Sequence, residues 1–227
     1  MYLRELVRAI RIYAIVFILK IIHKLFLKLR ITLKFRIHGL TILVLPSVFI
    51  PKYVVSTEMI LNALRSIKIP PGLKVLELGS GSGVLSVFVA KKGGYAYFVE
   101  VNKAAIVNTL INAYINNVGE RVRLLRSKFM EFPLVITNPP FLPCYIKERL
   151  DINWCCGPNL SLLLDMLIEV RKYLKRGGYL ILTASSLTNH ELVRHLLSAL
   201  GIEVIYIVRK PSIFDSVYLM LCKRTSV

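Results

Sequence analysis

Apolar residues recur along this chain with the spacing of helices in some stretches and of strands in others, and Gly, Pro and Asn separate these stretches. Ser56 or Thr57 supplies a hydroxyl suited to capping the second helix. The predicted helices are Tyr2–Arg30, Ser56–Ile67, Val84–Lys91, Lys103–Asn116, Leu160–Leu174 and Asn189–Ala199. The predicted strands are Ile31–Ile37, Leu40–Leu45, Leu73–Leu78, Tyr95–Val101, Arg121–Leu125, Leu134–Thr137, Tyr179–Ala184, Glu203–Arg209 and Ser216–Lys223.

The order of these elements predicts an α/β fold. From Leu73 onward strands mostly alternate with helices, which is typical of a parallel sheet that helices cover on both faces. The last two strands are joined through Pro211 without a helix, so one of them is antiparallel. We therefore expect seven strands in a mostly parallel sheet, with an antiparallel strand at the C-terminal end.

The first thirty-five residues form a separate basic and apolar helical extension, and residues 36–227 form the main domain. The longest apolar run of the extension, Ile12–Leu19, is too short to span a bilayer. Three interpretations of the helix stay open: contact with a membrane surface, packing on the core, or contact with RNA. A wrongly assigned start codon would give the same pattern. No signal-peptide cleavage pattern follows, so secretion is not predicted.

Composition narrows the class of protein. A chain of 227 residues that is 55% hydrophobic and 19% charged has enough apolar surface to form a folded core. Its net charge of +18 suggests an acidic partner such as RNA, a ribonucleoprotein or an anionic membrane, although a basic proteome would explain it too. The four cysteines have no Cys-x-x-Cys spacing, so we predict no metal site. Cys155 and Cys156 are expected to be packed thiols, which suits a reducing cytoplasm.

A glycine-rich turn follows the first strand of the main sheet. Its glycines allow a sharp turn and a close approach to a ligand. Such runs also occur in NAD-binding domains, but the G-x-G-x-G spacing and the acid before the first glycine favour S-adenosylmethionine. The cofactor-binding residues predicted here are Glu77, Gly79, Ser80, Gly81 and Gly83.

The next two strand ends supply further candidate cofactor ligands. Glu100, about twenty residues beyond the turn, suits a carboxylate that accepts both ribose hydroxyls. Val101 and Asn102 follow in the same loop. At the end of the third strand an acid or amide would suit the adenine amino group. The residues there are instead Ser127, Lys128 and Phe129, so Ser127 or the main chain would serve.

The tetrapeptide Asn138-Pro139-Pro140-Phe141 follows an apolar strand and therefore lies at the carboxyl edge of the sheet. An Asn side chain can hold a planar NH2 group, and the prolines leave carbonyls free to accept from it. Phe141 can lie flat against the group that bears the nitrogen. We predict Asn138, Pro139, Pro140 and Phe141 as catalytic residues, with Asn138 also near the cofactor. The motif predicts methyl transfer to an amide or exocyclic amino nitrogen.

The combined motifs resemble class I S-adenosylmethionine-dependent methyltransferases with a Rossmann-like fold. More narrowly, residues 38–223 resemble the HemK-type glutamine methyltransferases, in their archaeal and eukaryotic branch. His38–Thr41 is similar to that branch's entry segment, Asp151–Pro158 to its Asp-x-x-Trp-x-Gly-Gly-Pro segment, and Phe214–Tyr218 to its final strand. The chain departs from the pattern at Phe141, where Tyr is commoner, at Cys156, which replaces Gly, and at Lys128, which replaces Asp.

The resemblance implies methylation of the glutamine in the Gly-Gly-Gln loop of a translation release factor. It also implies a small zinc-binding activator as a partner. Two alternatives stay open at this point. The first is N6-adenine or N2-guanine methylation of RNA, because Phe141 would stack on a base and the net charge suits RNA. The second is an inactive scaffold attached to a membrane.

Overall fold

The computed structural model describes residues 2–127, 129–213 and 215–225, and the side chains of residues 2–6 and 8 are not described. Lys128, a predicted cofactor residue, and Phe214 lie outside the described residues. The helices are α1 Tyr2–Lys28, α2 Val55–Ser66, α3 Val84–Lys91, α4 Lys103–Ile115, α5 Ser161–Tyr173 and α6 His190–Ala199. The strands are β1 Leu33–Ile37, β2 Leu40–Val44, β3 Lys74–Leu78, β4 Tyr95–Val99, β5 Val122–Leu124, β6 Phe132–Thr137, β7 Leu174–Ser185, β8 Ile202–Pro211 and β9 Ser216–Arg224.

Seven strands form the central sheet in the order β5-β4-β3-β6-β7-β9-β8. Strands β3 to β7 run parallel to one another, whereas β9 is antiparallel to both β7 and β8. The predicted fold class, including its antiparallel C-terminal strand, is confirmed. The chain moves outward from β3 through β4 and β5 and then returns to β6 on the other side of β3. Ligands of open α/β sheets bind at the point where the strand order reverses in this way.

The sheet separates two apolar cores. On β3 and β6, Val75 and Ile136 face a core that contains α2 and α3, whereas Leu76 and Val135 face a core that contains α5 and α6. Successive side chains of a strand point to opposite faces, so both faces of these central strands are buried. This explains why the strands are almost continuously apolar in sequence.

The β1–β2 hairpin lies against α4 through a ladder of three asparagines that the sequence analysis did not identify. Each asparagine side-chain oxygen accepts one main-chain N–H: Asn108 from Leu45 at 2.7 Å, Asn112 from Leu43 at 2.8 Å and Asn116 from Thr41 at 3.0 Å. Asn112 also donates to the carbonyl of Ser82 at 2.8 Å, in the glycine-rich turn. Since the three residues are four apart, they share one face of α4. The ladder attaches the hairpin to the glycine-rich turn.

Several sequence predictions are corrected by the structure. Helix α2 begins at Val55, and its N-cap residue Val54 makes no side-chain capping bond, so the cap predicted at Ser56 or Thr57 is wrong. Both hydroxyl residues lie inside the helix and are buried. Strand β7 begins at Leu174, five residues before the predicted start. In this region β7 passes through two glycines, which obscure the strand pattern in the sequence.

The cysteine prediction is half wrong. Cys155 forms a disulfide with Cys144 and is therefore not a packed thiol. Cys156 is a buried free thiol, and burial raises its pKa to about 12. The prediction that all cysteines are reduced is therefore wrong for this pair, which lies in the loop between β6 and α5.

Helix α1 is present as predicted, and none of the described helices is long and apolar enough to cross a membrane. Of the three interpretations of this helix, the structure shows packing on the core. Ile12 is buried in a cluster with Leu142, Trp154 and Leu187. Contact of α1 with a membrane surface or with RNA stays a prediction.

Candidate active site

The glycine-rich turn connects β3 to α3 in a conformation that requires glycine. Gly79, Gly81 and Gly83 have φ angles of +75°, +52° and +78°. A Cβ on Gly83 would lie 2.6 Å from the Cγ2 atom of Thr109, so a side chain has no room there. A Cβ on Gly81 would meet no atom within 4 Å, which leaves this backbone open to a ligand. The hydroxyl of Ser80 lies 3.0 Å from that of Thr109 and fixes the turn against α4.

Glu100 links the glycine-rich turn to the loop after β4. One carboxylate oxygen accepts from the N–H of Gly81 at 2.9 Å, and the other accepts from Val101 at 2.8 Å and Asn102 at 2.9 Å. The side chain of Asn102 accepts from Ala104 N–H at 3.0 Å and caps α4. The Glu100 carboxylate is therefore held by three main-chain donors at the edge of the sheet.

Glu77 is buried below the turn, with 3% of its surface exposed. Its carboxylate accepts from the N–H of Ser86 at 2.9 Å and from the Ser86 hydroxyl. Burial raises the pKa of Glu77 to about 8, against the lowering effect of the bonds from Ser86, and the charge of Glu100 raises it further. Glu77 thus joins the end of β3 to the first turn of α3 and fixes the shape of the glycine-rich turn.

Asn138 lies beside the glycine-rich turn because of the register of the sheet. Leu78 pairs with Thr137 across β3 and β6, so the next residues along both strands, Gly79 and Asn138, leave the sheet together. The Asn138 Nδ2 atom donates to Thr57 Oγ1 at 3.3 Å, and the Thr183 hydroxyl donates to Asn138 Oδ1 at 2.6 Å. These two bonds hold the plane of the amide between Thr57 and Thr183. Neither threonine is among the site residues predicted from the sequence.

The rest of the tetrapeptide continues into the segment 142–156, which we call the acceptor loop. Pro139 is buried, and the carbonyl of Phe141 accepts from the Thr188 hydroxyl. Phe141 packs against the cluster that contains Ile12 and Trp154. The Leu142 N–H donates to the Trp154 carbonyl at 2.8 Å and closes the base of the loop.

A cleft of about 680 Å³ opens at this edge of the sheet. It is lined by ten predicted site residues: Glu77, Gly79, Ser80, Gly81, Glu100, Val101, Asn138, Pro139, Pro140 and Phe141. Four others are not among its lining residues: Gly83, Asn102, Ser127 and Phe129. Phe129 is 96% exposed, and its N–H donates to the Ser127 hydroxyl at 3.2 Å. A volume of this size is typical of sites for small molecules and cofactors.

The cleft is acidic in a strongly basic protein. Among the described residues that line it, five are carboxylic acids and one is a lysine: Glu77, Glu100, Asp165, Glu169, Asp215 and Lys52. The sulfonium and ammonium groups of S-adenosylmethionine are cations, so this lining is complementary to them. The open backbone at Gly81 and the carboxylate of Glu100 are suited to hold that cofactor.

Comparison with known proteins establishes the family. Residues 39–204 match the family model described as "Methyltransferase small domain". The chain therefore belongs to this family and is an S-adenosylmethionine-dependent methyltransferase of the HemK type, which confirms the resemblance, the enzyme class and the cofactor predicted from the sequence.

Individual relatives differ in what their names say they methylate. The chain is 34% identical over 141 residues to a protein of Methanocaldococcus jannaschii provisionally named a protein N5-glutamine methyltransferase, covering 57% of this chain and 71% of that one. It is 35% identical over 120 residues to a release factor glutamine methyltransferase of Geobacter sulfurreducens (50% and 41%). It is 30% identical over 114 residues to a tRNA1(Val) (adenine(37)-N6)-methyltransferase of Dyadobacter fermentans (46% and 48%). The chain thus spans less than half the length of these two bacterial relatives.

Solved structures share the fold. A 16S rRNA N2 methyltransferase of Thermus thermophilus, in complex with AdoMet and guanosine, superposes with a TM-score of 0.60 at 20% identity, covering 86% of this chain and 50% of that one. At this identity the likeness extends to the fold alone.

Proposed function

We propose that this protein transfers a methyl group from S-adenosylmethionine to the side-chain amide nitrogen (N5) of the glutamine in the Gly-Gly-Gln loop of a translation release factor. The observation on which the proposal depends is the fixed amide of Asn138, held between Thr57 and Thr183 beside the glycine-rich turn. The names of the Methanocaldococcus and Geobacter relatives support the same acceptor.

The fixed amide suits an amide acceptor. Asn138 Oδ1 accepts one hydrogen bond from Thr183 and retains a second lone pair for an incoming NH2 group. The carbonyl of Pro139 offers another acceptor in a stretch without N–H donors. Two such acceptors would aim the weakly nucleophilic amide nitrogen and favour the positive charge that develops on it.

The chemistry needs no dedicated base. Bound S-adenosylmethionine supplies an electrophilic methyl group on a sulfonium sulfur. With that cofactor bound, the acceptor nitrogen would take the methyl group, S-adenosylhomocysteine would leave with the electron pair of the S–CH3 bond, and the nitrogen would release one proton to solvent. Asn138 and Pro139 hold the nitrogen, and the apolar wall formed by Leu142 and Phe141 limits the entry of water.

The charges of the cleft favour a protein acceptor over a nucleic acid. Since Glu77 keeps its proton at neutral pH, four carboxylates face one lysine among the described lining residues. They would repel phosphate groups, whereas a neutral polypeptide loop could enter without repulsion and a basic one would be attracted. The runner-up is N6-adenine or N2-guanine methylation of tRNA or rRNA. The net charge of +18 and the tRNA-methylating relative favour it, because the basic surface outside the cleft could bind RNA while a single base enters.

A labelling experiment separates the two acceptors. The protein is incubated with methyl-labelled S-adenosylmethionine, the cognate release factor and bulk tRNA or rRNA, with and without the small zinc-binding activator that we expect as a partner. Label on the release factor, lost when its Gly-Gly-Gln glutamine is replaced by alanine, is the expected result. Label in RNA alone would refute the proposal.

A further inference from the structure

Helix α1 forms part of the wall of the cleft. Ile15, Leu19, Ile22 and His23 line the same cleft as Asn138. The family match begins only at residue 39, so this wall is contributed by a segment outside the family domain. The helix therefore adds side chains to the site that the rest of the fold does not supply.

Two ion pairs and an apolar contact fix α1 on the acceptor loop. Lys20 Nζ lies 2.9 Å from Asp151 Oδ1, and Lys24 Nζ lies 2.9 Å from Glu148 Oε1. The ring of His23 packs on that of Trp154 with centroids 4.9 Å apart. All three partners of the helix belong to the acceptor loop, which begins directly after Phe141. Any movement of α1 therefore changes the acceptor side of the cleft.

Two neighbouring isoleucines show that only one face of α1 belongs to the cleft. Ile22 lines the cleft and is 38% exposed, whereas Ile21 is 52% exposed and is not among the lining residues. Adjacent residues on a helix are separated by about 100° and point to different surroundings. The pair therefore offers a matched comparison of a cleft residue with an outward residue.

Two buried polar atoms lie in the seam between α1 and the acceptor loop. His23 Nε2 and Trp154 Nε1 have no hydrogen-bond partner among the described residues. His23 Nδ1 lies 3.0 Å from the Leu19 carbonyl and must donate to it, so the neutral ring leaves Nε2 as an acceptor. Burial lowers the pKa of His23 and keeps the ring neutral. The Leu19 carbonyl opposes this, as does the Val48 backbone, which does not meet hydrogen-bond geometry at Nε2. Trp154 Nε1 is a donor only.

We infer that α1 is the wall that selects the acceptor, with Leu19 and Ile22 as specificity-determining residues and with His23 and Trp154 as partners for a peptide group. A peptide group has one N–H and one C=O, which match an accepting ring nitrogen and a donating indole. Because both atoms are covered, the two rings part when the acceptor enters. The wall therefore fits a neutral polypeptide loop with apolar neighbours. This inference rests on the proposed function.

The kinetic test compares Ile22→Ala with Ile21→Ala in the full chain, with the release factor as acceptor. We expect Ile22→Ala to raise the KM for the release factor by roughly tenfold, since apolar contacts in a pocket contribute discrimination of this order. Its kcat and its affinity for S-adenosylmethionine stay near wild type, which also shows that it is folded. Ile21→Ala leaves all three constants unchanged. Equal KM values for the two variants would refute the inference that the cleft-facing side of α1 selects the acceptor.

The fluorescence test uses the single tryptophan of the chain, Trp154. A tryptophan-free peptide that contains Gly-Gly-Gln is added to the protein with S-adenosylhomocysteine, and the emission spectrum should shift as the rings part. An unchanged spectrum at saturating peptide would refute the inference that His23 and Trp154 bind a peptide group of the acceptor. If the labelling experiment places the methyl group in RNA, the proposed function fails. The two isoleucine variants, assayed with that RNA, then still decide whether α1 selects the acceptor.

Discussion

Lys20 on α1 forms an ion pair of 2.9 Å with Asp151, whose side chain is completely buried in the acceptor loop. The other carboxylate oxygen of Asp151 accepts from the N–H groups of Lys147 at 2.9 Å and Glu148 at 3.0 Å. Burial by itself would raise the pKa of Asp151, but the bond from Lys20 and the two main-chain bonds outweigh it and lower the pKa. The contact joins the N-terminal helix to the loop that follows the Asn138-Pro139-Pro140-Phe141 tetrapeptide.

Replacing Lys20 by methionine keeps an apolar stem but leaves Asp151 as a buried carboxylate without a cation. We expect the free energy of unfolding to fall by ~3–5 kcal/mol, measured by urea denaturation at neutral pH. Lys24→Met is the control, because it removes an exposed pair that is worth at most ~1 kcal/mol. Similar losses in both variants would show that the pairing of Asp151 has no special role.

The same pair predicts a pH dependence. Because the folded pKa of Asp151 is lowered, its ionised form stabilises the fold above the pKa of the unfolded chain, and this stability is lost as the pH falls through the folded pKa. The difference in unfolding free energy between wild type and Lys20→Met should therefore shrink in acid. A difference that stays constant from neutral to strongly acidic pH would contradict the assignment.

Glu77 should give the opposite dependence. Its folded pKa of about 8 lies above the ordinary glutamate value of 4.5, so the folded protein holds a proton that the unfolded chain has lost over this range. Stability from this group is therefore full below pH 4.5 and declines up to about pH 8. Glu77→Gln cannot ionise, so it does not lose this stability. The free energy of unfolding of the variant should therefore rise relative to that of wild type as the pH increases from 4.5 to about 8. Parallel stability curves for the two proteins would refute the raised pKa.

Asn138→Ala tests the catalytic assignment. Removing the amide takes away an acceptor for the incoming nitrogen, and the loss of one such positioned group typically costs about 10²–10³ in kcat. The glycine-rich turn and Glu100 are untouched, so the dissociation constant of S-adenosylmethionine, measured by calorimetry, should stay near wild type. Activity equal to that of wild type would exclude Asn138 from the site.

Thr183 positions Asn138 by donating to Oδ1 at 2.6 Å, and it is fully buried. Thr183→Val keeps the shape but removes the donor, so the amide loses its fixed orientation. We expect a fall of about tenfold or more in kcat, since a neutral hydrogen bond is worth about 0.5–1.5 kcal/mol and a buried unpaired group costs somewhat more. Thr183→Ser restores the hydroxyl and should recover most of the kcat. Loss of activity in both variants would indicate packing alone.

The sequence predicted the sheet and the turn because these depend on local patterns. The buried strands around Val75 and Val135 are almost continuously apolar, and the glycine spacing marks the turn. The asparagine ladder on α4 was also visible as residues 108, 112 and 116, spaced by four, but their partners on β2 depend on tertiary packing.

The parts of the site that the sequence did not predict come from distant segments. Thr57 looked like a helix cap, because hydroxyls favour caps, yet it accepts from Asn138, 81 residues away. The docking of α1 depends on Asp151, which is 131 positions beyond Lys20 and has no local signal in the sequence. Contacts of this kind follow from the packed fold, which no periodicity encodes.

The disulfide between Cys144 and Cys155 predicts a specific pattern of thiol reactivity. In denaturant without reductant, alkylation should modify two of the four cysteines, Cys156 and Cys222, and all four after reduction.

The bond closes a loop between residues 11 positions apart, for which chain entropy predicts a contribution of about 3 kcal/mol to the free energy of unfolding. Reductant should therefore lower the urea midpoint of wild type and leave that of the Cys144→Ser/Cys155→Ser double variant unchanged. Because the loop follows Phe141 directly, reduction should also raise the KM for the acceptor more than that for S-adenosylmethionine. Four reactive thiols in the unreduced protein would show that the bond does not form.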